Sequence, residues 1–163
     1  MADTTFLNLK KCDQSILARA NRISQLRWFE DLSHRQTVLL AGYMECYEAK
    51  RGTTIVSEGA DIAHMVLVAS GSVDLVAPAS QAPGNPVASI GPGESFGEIS
   101  LIDGKPHSAS AVAATQVSLI TLSKDDFARL NVEDPRLGVA LLFKVAHVMS
   151  QKLRQSTETL GYQ

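Results

Sequence analysis

From Met44 onward the apolar residues abandon helical spacing and alternate, in short segments punctuated by glycine. The segments are MECYEA, TTIV, HMVLVA, SVDLVA, PVASI, SASAVAA and VSLITL, with Gly52, Gly59, Gly71, Gly84 and Gly91 at the breaks. Many short strands at regular spacing predict a barrel or double-sheet roll rather than βαβ units. The expected fold class is therefore mainly β: an antiparallel double-sheet β-roll, jelly-roll-like, with N-terminal helices and a long C-terminal helix. The stretch PASQAPGNP, Pro78 to Pro86, has the Pro, Gly and Ser content of a hairpin tip.

Helical signals flank the strands. Asp13 can cap a segment in which Ile16, Ala20, Ile23 and Leu26 recur at helical spacing. Ser33 and Gln36 form a capping box ahead of an apolar run that Gly42 stops. Beyond the strands, Ser123 and Asp126 open DDFARL, and Asp134 before Pro135 opens a second helix. Continued to Leu160 that helix would run roughly 39 Å, long for one roll to cover. Its stripe of Leu142, Val145, Met149, Leu153 and Leu160, broken by Ser156, predicts a face turned to a second copy, as in a short coiled coil. The expected organisation is a helical segment over 1–32, the roll over 33–134 and a dimerisation helix over 135–163.

Composition excludes several function classes. The 163 residues are 45% hydrophobic, enough for a core, and carry a net charge of −2. A nucleic-acid binder acting alone usually has a basic excess, so no direct nucleic-acid contact is expected. The longest apolar run, Leu137 to Phe143, falls well short of the ~18 residues of a membrane span. The N-terminus lacks a signal-peptide layout, so a cytoplasmic location is expected. Cys12 and Cys46 are too few for a disulfide framework or a zinc site and read as reduced, Cys46 as a small buried hydrophobe. His34, His64, His107 and His147 show no metal-ligand spacing, and no nucleophile-elbow pattern occurs. No metal, no catalytic residue and no enzyme activity is expected.

One segment stands apart: GPGESFGEISLIDGKPHSASA, Gly91 to Ala111. Its SFGEISL core reads as a glycine turn running into a short helix that interrupts the strands. The first N–H groups of such a helix have no intrahelical partners and favour an anion. Glu98 in that first turn suits a neighbouring neutral hydroxyl, so a ligand carrying both phosphate and sugar accounts for both features.

With FEDLS at Phe29 to Ser33, Gly52, Glu58, Gly59, Gly71 and the run FGEISLIDGKPHSAS from Phe96 to Ser110, the chain resembles the cyclic nucleotide-binding domain family. Among bacterial members it looks like the sensor domain of cyclic AMP receptor protein relatives, without their helix-turn-helix module. The resemblance implies that Gly97, Ile99 and Ser100 offer backbone N–H groups to a cyclic phosphate. It implies that Glu98 holds the ribose 2′-hydroxyl, that Ser108 donates to the phosphate, and that Phe96 and Ala109 complete a phosphate-binding cassette over Gly91 to Ala111. Ser156 and Thr157 stand where such a helix carries two hydroxyls that meet the purine. The family's phosphate-pairing arginine is here His107, in PHSA where the pattern has PRSA. An imidazole is shorter than a guanidinium and mostly neutral at pH 7. Losing one member of a buried charge pair costs about 2–5 kcal/mol.

The function these residues imply is a sensor for a cyclic nucleotide, cyclic AMP or a relative, with no cofactor, signalling through a homodimeric C-terminal helix. The sequence ends at Gln163, about where relatives continue into an output module, so output lies outside it or passes to a protein partner. The alternatives are a dimerisation or partner-binding module that has lost its ligand, and a receptor for a cyclic dinucleotide.

Overall fold

The computed structural model describes residues 9–77 and 85–161. Two antiparallel sheets form the roll. The larger contains β1 (Lys10–Lys11), β2 (Met44–Ala49), β4 (His64–Ser70), β7 (Ser95–Phe96) and β9 (Val117–Ser123), in the order β1-β2-β9-β4-β7. The smaller contains β3 (Thr54–Val56), β5 (Val73–Val76), β6 (Ala88–Ile90) and β8 (Ser110–Ala113), in the order β3-β8-β5-β6. Each of the seven segments read as a strand contains one. β1 and β7 are additions, too short to carry an alternating pattern. Residues 78–84 of the expected hairpin tip lie outside the described residues, while β5 and β6 on either side pair from Val73↔Ile90 to Leu75↔Ala88.

The central strands are buried on both faces. Met65 and Leu67 of β4, Met44 and Cys46 of β2, and Ile120 and Leu122 of β9 face the helices. Val66, Val68, Tyr47 and Leu119 face the second sheet. A strand covered on both sides reads as a continuous apolar run, which is why HMVLVA shows so little alternation. Each Leu or Met buried here contributes roughly 1.5–3 kcal/mol.

The helices obey their caps. The Ser15 side chain, rather than that of Asp13, caps α1 (Ile16–Ser24), accepting from the Ala18 N–H at 3.3 Å; Asp13 Oδ1 instead holds the Ser15 N–H at 2.9 Å. Leu26 falls past the end of α1, before a 3-10 turn at Arg27–Phe29. The capping box of Ser33 and Gln36 opens α2 (His34–Ala41), and Gly42 ends it. A six-residue α3 (Glu98–Asp103) interrupts the roll. Ser123 caps α4 (Lys124–Glu133), and Asp134 caps α5 (Pro135–Thr159), a continuous helix of 25 residues.

The stripe on α5 is divided differently from its sequence reading. Val145, with Leu137 and Leu141, is buried against the chain's own core, because residues four apart share that face. Val139, Leu142, Phe143, Leu153 and Leu160 are exposed. Gly138 sits where α5 crosses α4: a Cβ there would fall inside contact distance of Asn131 Oδ1, whose amide nitrogen donates to the Phe127 carbonyl at 2.8 Å. Gly138→Ala gains up to about 1 kcal/mol of helix propensity and should nevertheless lower the calorimetric melting temperature. Adding Asn131→Ala should recover the loss. A single variant more stable than wild type would contradict this packing.

Candidate functional site

The site is built on the turn from β7 into α3. Gly97 lies between them at φ 81° as the N-cap of α3. A Cβ at Gly97 would run into the carbonyl oxygen of His64, at the start of β4, and would stand 2.9 Å from His107 Cε1. Glycine is needed here twice over, for the left-handed conformation and for the space. The turn leaves the first N–H groups of α3 without intrahelical acceptors, at Glu98, Ile99 and Ser100.

Two clamps fix the far end of the cassette. The Gly59 N–H donates to the His107 carbonyl at 2.8 Å, and the Glu58 N–H donates to Ser110 Oγ at 2.9 Å. Through these bonds Glu58 and Gly59 hold the return strand against the turn after β3. His107 itself is buried, with its ring against Gly97. Burial holds the neighbouring His64 imidazole below its ordinary value, and the charge of a protonated His107 would push it further down; Glu45, Asp126 and Asp125 oppose the shift.

Glu98 is the electrostatic centre. The residue is only 4% exposed. Lys152 of α5 donates to Glu98 Oε1 at 2.9 Å and Oε2 at 3.1 Å, and also to the Ser95 carbonyl at 2.5 Å. Ser95 Oγ donates a short hydrogen bond to Glu98 Oε1. A carboxylate this buried needs such partners, since a buried charge without them is strongly unfavourable. Beside the pair, α3 and α5 enclose a groove of about 650 Å³ lined by Glu98, Ile99, Ile102, Leu142, Met149 and Leu153 among others.

The expected residues are brought together unevenly. Phe96, Gly97, Glu98, Ile99 and Ser100 are contiguous at the head of α3, with His107 against Gly97. Ser108 is exposed and Ala109 half-buried on the segment that follows. Ser156 and Thr157 lie one turn beyond Lys152 on α5; Ser156 is exposed, and Thr157 Oγ1 donates to its own helix at the Leu153 carbonyl, 2.9 Å away. Among the described residues, the α5 side chain that hydrogen-bonds to the cassette is Lys152, which sequence reasoning missed, as it missed Ser95. The available signal was indirect: a buried glutamate requires a cation, and Lys152 precedes Ser156 by one turn. Among the described residues no group of three or more His, Cys, Asp or Glu is placed to hold a metal, and no helix is long and apolar enough to cross a membrane.

A double-sheet roll with a glycine turn, a short helix and a buried glutamate facing a long C-terminal helix defines a ligand-binding module of the regulatory kind. The profile of the cyclic nucleotide-binding domain matches residues 47–134, and the chain belongs to that family. It is 35% identical over 110 residues to a cyclic nucleotide-gated potassium channel of Mesorhizobium japonicum, covering 68% of this chain and 29% of the channel. It is 26% identical over 146 residues to a CRP-like cAMP-activated global transcriptional regulator of Mycobacterium tuberculosis, covering 90% of this chain and 61% of the regulator. The chain thus spans less than two thirds of either relative. The crystal structure of a cyclic nucleotide-binding domain from Methylobacillus flagellatus superposes with a TM-score of 0.75 at 28% identity, over 93% of this chain and 85% of that one.

If Lys152 and Glu98 hold each other, their substitutions are not additive. Glu98→Gln and Lys152→Met should each destabilise the ligand-free protein. The double variant should lose less than the sum, with a coupling of about 1–3 kcal/mol in a denaturation cycle. Additive losses would mean that the pair contributes nothing.

Proposed function

We propose that the chain is a cyclic-nucleotide sensor domain, not an enzyme, whose ligand is cyclic AMP or a related cyclic nucleotide, acting in the cytoplasm. The observation that carries this reading is the position of Glu98: buried, at the head of α3, and joined to α5 through Lys152. The phosphate lies at the N–H groups of Gly97, Ile99 and Ser100 with Ser108 beside it, and the ribose 2′-hydroxyl donates to Glu98. His107 replaces the permanent charge of an arginine with an imidazole, so the phosphate is held mainly by neutral donors and binding is weaker. Ser156, exposed one turn past Lys152, and Thr157, bonded to its own helix, close over the base by a movement of the end of α5. A ligand shifts that movement by its differential affinity for the two arrangements. A hydroxyl competing for Glu98 supplies such a difference, because it changes what Lys152 holds.

Calorimetric titration with cyclic AMP, cyclic GMP and a cyclic dinucleotide tests the reading. Binding of a mononucleotide is expected, weakened about tenfold or more by Glu98→Gln, which loses a charge-assisted bond of roughly 1.5–3 kcal/mol. A 2′-deoxy ligand should lose a similar amount against wild type and almost nothing further against the variant. His107→Arg should tighten binding by about tenfold or more. No heat from any of the three at millimolar ligand would replace this reading with that of a module that has lost its ligand.

The exposed side of α5 supports a second part of the proposal, a parallel homodimer through this helix. Val139, Leu142, Leu153 and Leu160 fall on one exposed side, and the exposed Ile99 and Ile102 of α3 extend it across the groove. Leu142→Asp would place a charge in that seam and should leave a monomer in light scattering. A wild type that is monomeric at high micromolar concentration would rule the dimer out.

A further inference from the structure

Cys12 and Cys46 are distant in sequence and adjacent in the fold. β1 and β2 pair with Lys10 opposite Glu48 and Lys11 opposite Tyr47, and the next step of that register sets Cys12 opposite Cys46. The Cys12 N–H donates to the Cys46 carbonyl at 3.1 Å while the Cys46 N–H turns to the Gln14 side chain, so a single backbone bond joins the two opposed residues. Residues opposed across an antiparallel ladder have Cα atoms ~4.5–5.5 Å apart and both side chains on one face. That spacing falls inside the ~4.4–6.8 Å that a disulfide spans. Both side chains pack in the same apolar cluster, Cys46 fully buried and Cys12 at its edge, and both are free thiols.

The backbone is fixed without help from sulfur. The Gln14 side chain donates to the carbonyls of Cys12 at 2.8 Å and Cys46 at 2.7 Å, and its Oε1 accepts the Cys46 N–H at 3.4 Å. The register that would bring the sulfurs together therefore exists in the reduced protein.

We propose that Cys12 and Cys46 are a redox modification site, which a peroxide closes into a disulfide that fastens the N-terminal segment to the roll. Cys12 reacts first, since Cys46 is fully buried. Its thiolate attacks a peroxide oxygen, the O–O bond breaks, and Cys12 becomes a sulfenic acid as the first water forms. The Cys46 sulfur then attacks the Cys12 sulfur and loses its proton, and the second water departs. Two thiols are oxidised by two electrons, and one peroxide is reduced to two waters. Burial pushes both thiols up, Cys46 to about 11, so thiolate is scarce near neutrality and closure quickens as pH rises. The charged groups facing the pair are Arg19 and Arg22 of α1 and Lys10 of β1 as cations, with Glu45 and Glu48 of β2 as anions.

The test treats the whole chain with excess hydrogen peroxide at several pH values, alkylates it, and maps the unreduced digest by mass spectrometry. The expected product is a monomer lighter by two hydrogens, with both thiols lost, a peptide pair joined through Cys12 and Cys46, and full reversal by dithiothreitol. Closing a loop of roughly 34 residues should raise the melting temperature by about 10 °C. Cys12→Ser should prevent the link and leave Cys46 open to alkylation after unfolding. Cys12 ending as sulfinic or sulfonic acid with Cys46 still alkylatable would overturn the proposal. So would a disulfide joining two chains, or two intact thiols after treatment at about pH 9.

Discussion

A carboxylate withdrawn from water must be compensated where it lies, and Glu98 therefore ties down the second half of α5 through Lys152. The first half of that helix is held by apolar contact through Leu137, Leu141 and Val145. Past Met149 the core-facing residues run out, and the remaining tie is Lys152, bound to Glu98 and to the Ser95 carbonyl. Beyond it Leu153, Arg154, Gln155 and Ser156 are exposed. One ion pair thus marks where the helix stops being part of the core.

The same carboxylate is held from below by steric constraint. Gly97 is wedged between the His64 carbonyl and the His107 ring, so β4, the cassette turn and the return segment meet at one atom with no room for a methyl group. The Gly59 and Glu58 amides lock the return segment from the other side. Glu98 is consequently presented by a rigid support and answered by a helix whose far end is not. An arginine at position 107 would have to extend past this junction, whereas the shorter imidazole fills it.

Much of the roll was legible because its determinants are local. Capping by Ser33, Ser123 and Asp134 needs only neighbours within four residues, and each of those helices begins where its cap predicts. The seven strand segments carry their own pattern, and glycines or polar turns mark their ends. What was illegible depends on partners far along the chain. β1 and β7 are two residues long and exist only through the strands they pair with. A lysine late in a long helix reads as solvated, and only the fold reveals that Lys152 meets Glu98. The stripe on α5 was seen, but periodicity does not tell which side a helix turns to its own core, and Val145 proved to lie inward. The opposition of Cys12 and Cys46 is a matter of register, which composition cannot contain.

Division of burial between layers determines which part of the molecule can answer a ligand. β4 and β9 are covered on both faces, and β9 is laddered to β2 from Met44↔Leu122 to Ala49↔Val117 on one side and to β4 from His64↔Ser123 onward on the other. Displacing them would expose two apolar surfaces at once, at roughly 25 cal/mol for every Å² uncovered. Moving the end of α5 uncovers almost nothing of the chain's own core, since its side chains there pack against no other element of the same chain's core. Its cost is the exchange of hydrogen bonds at one lysine. A ligand that takes a share of Glu98 acts on that exchange directly, and it need supply only the few kcal/mol that a charge-assisted pair contributes. The sheet serves as the fixed reference against which the last turns of α5 can change place.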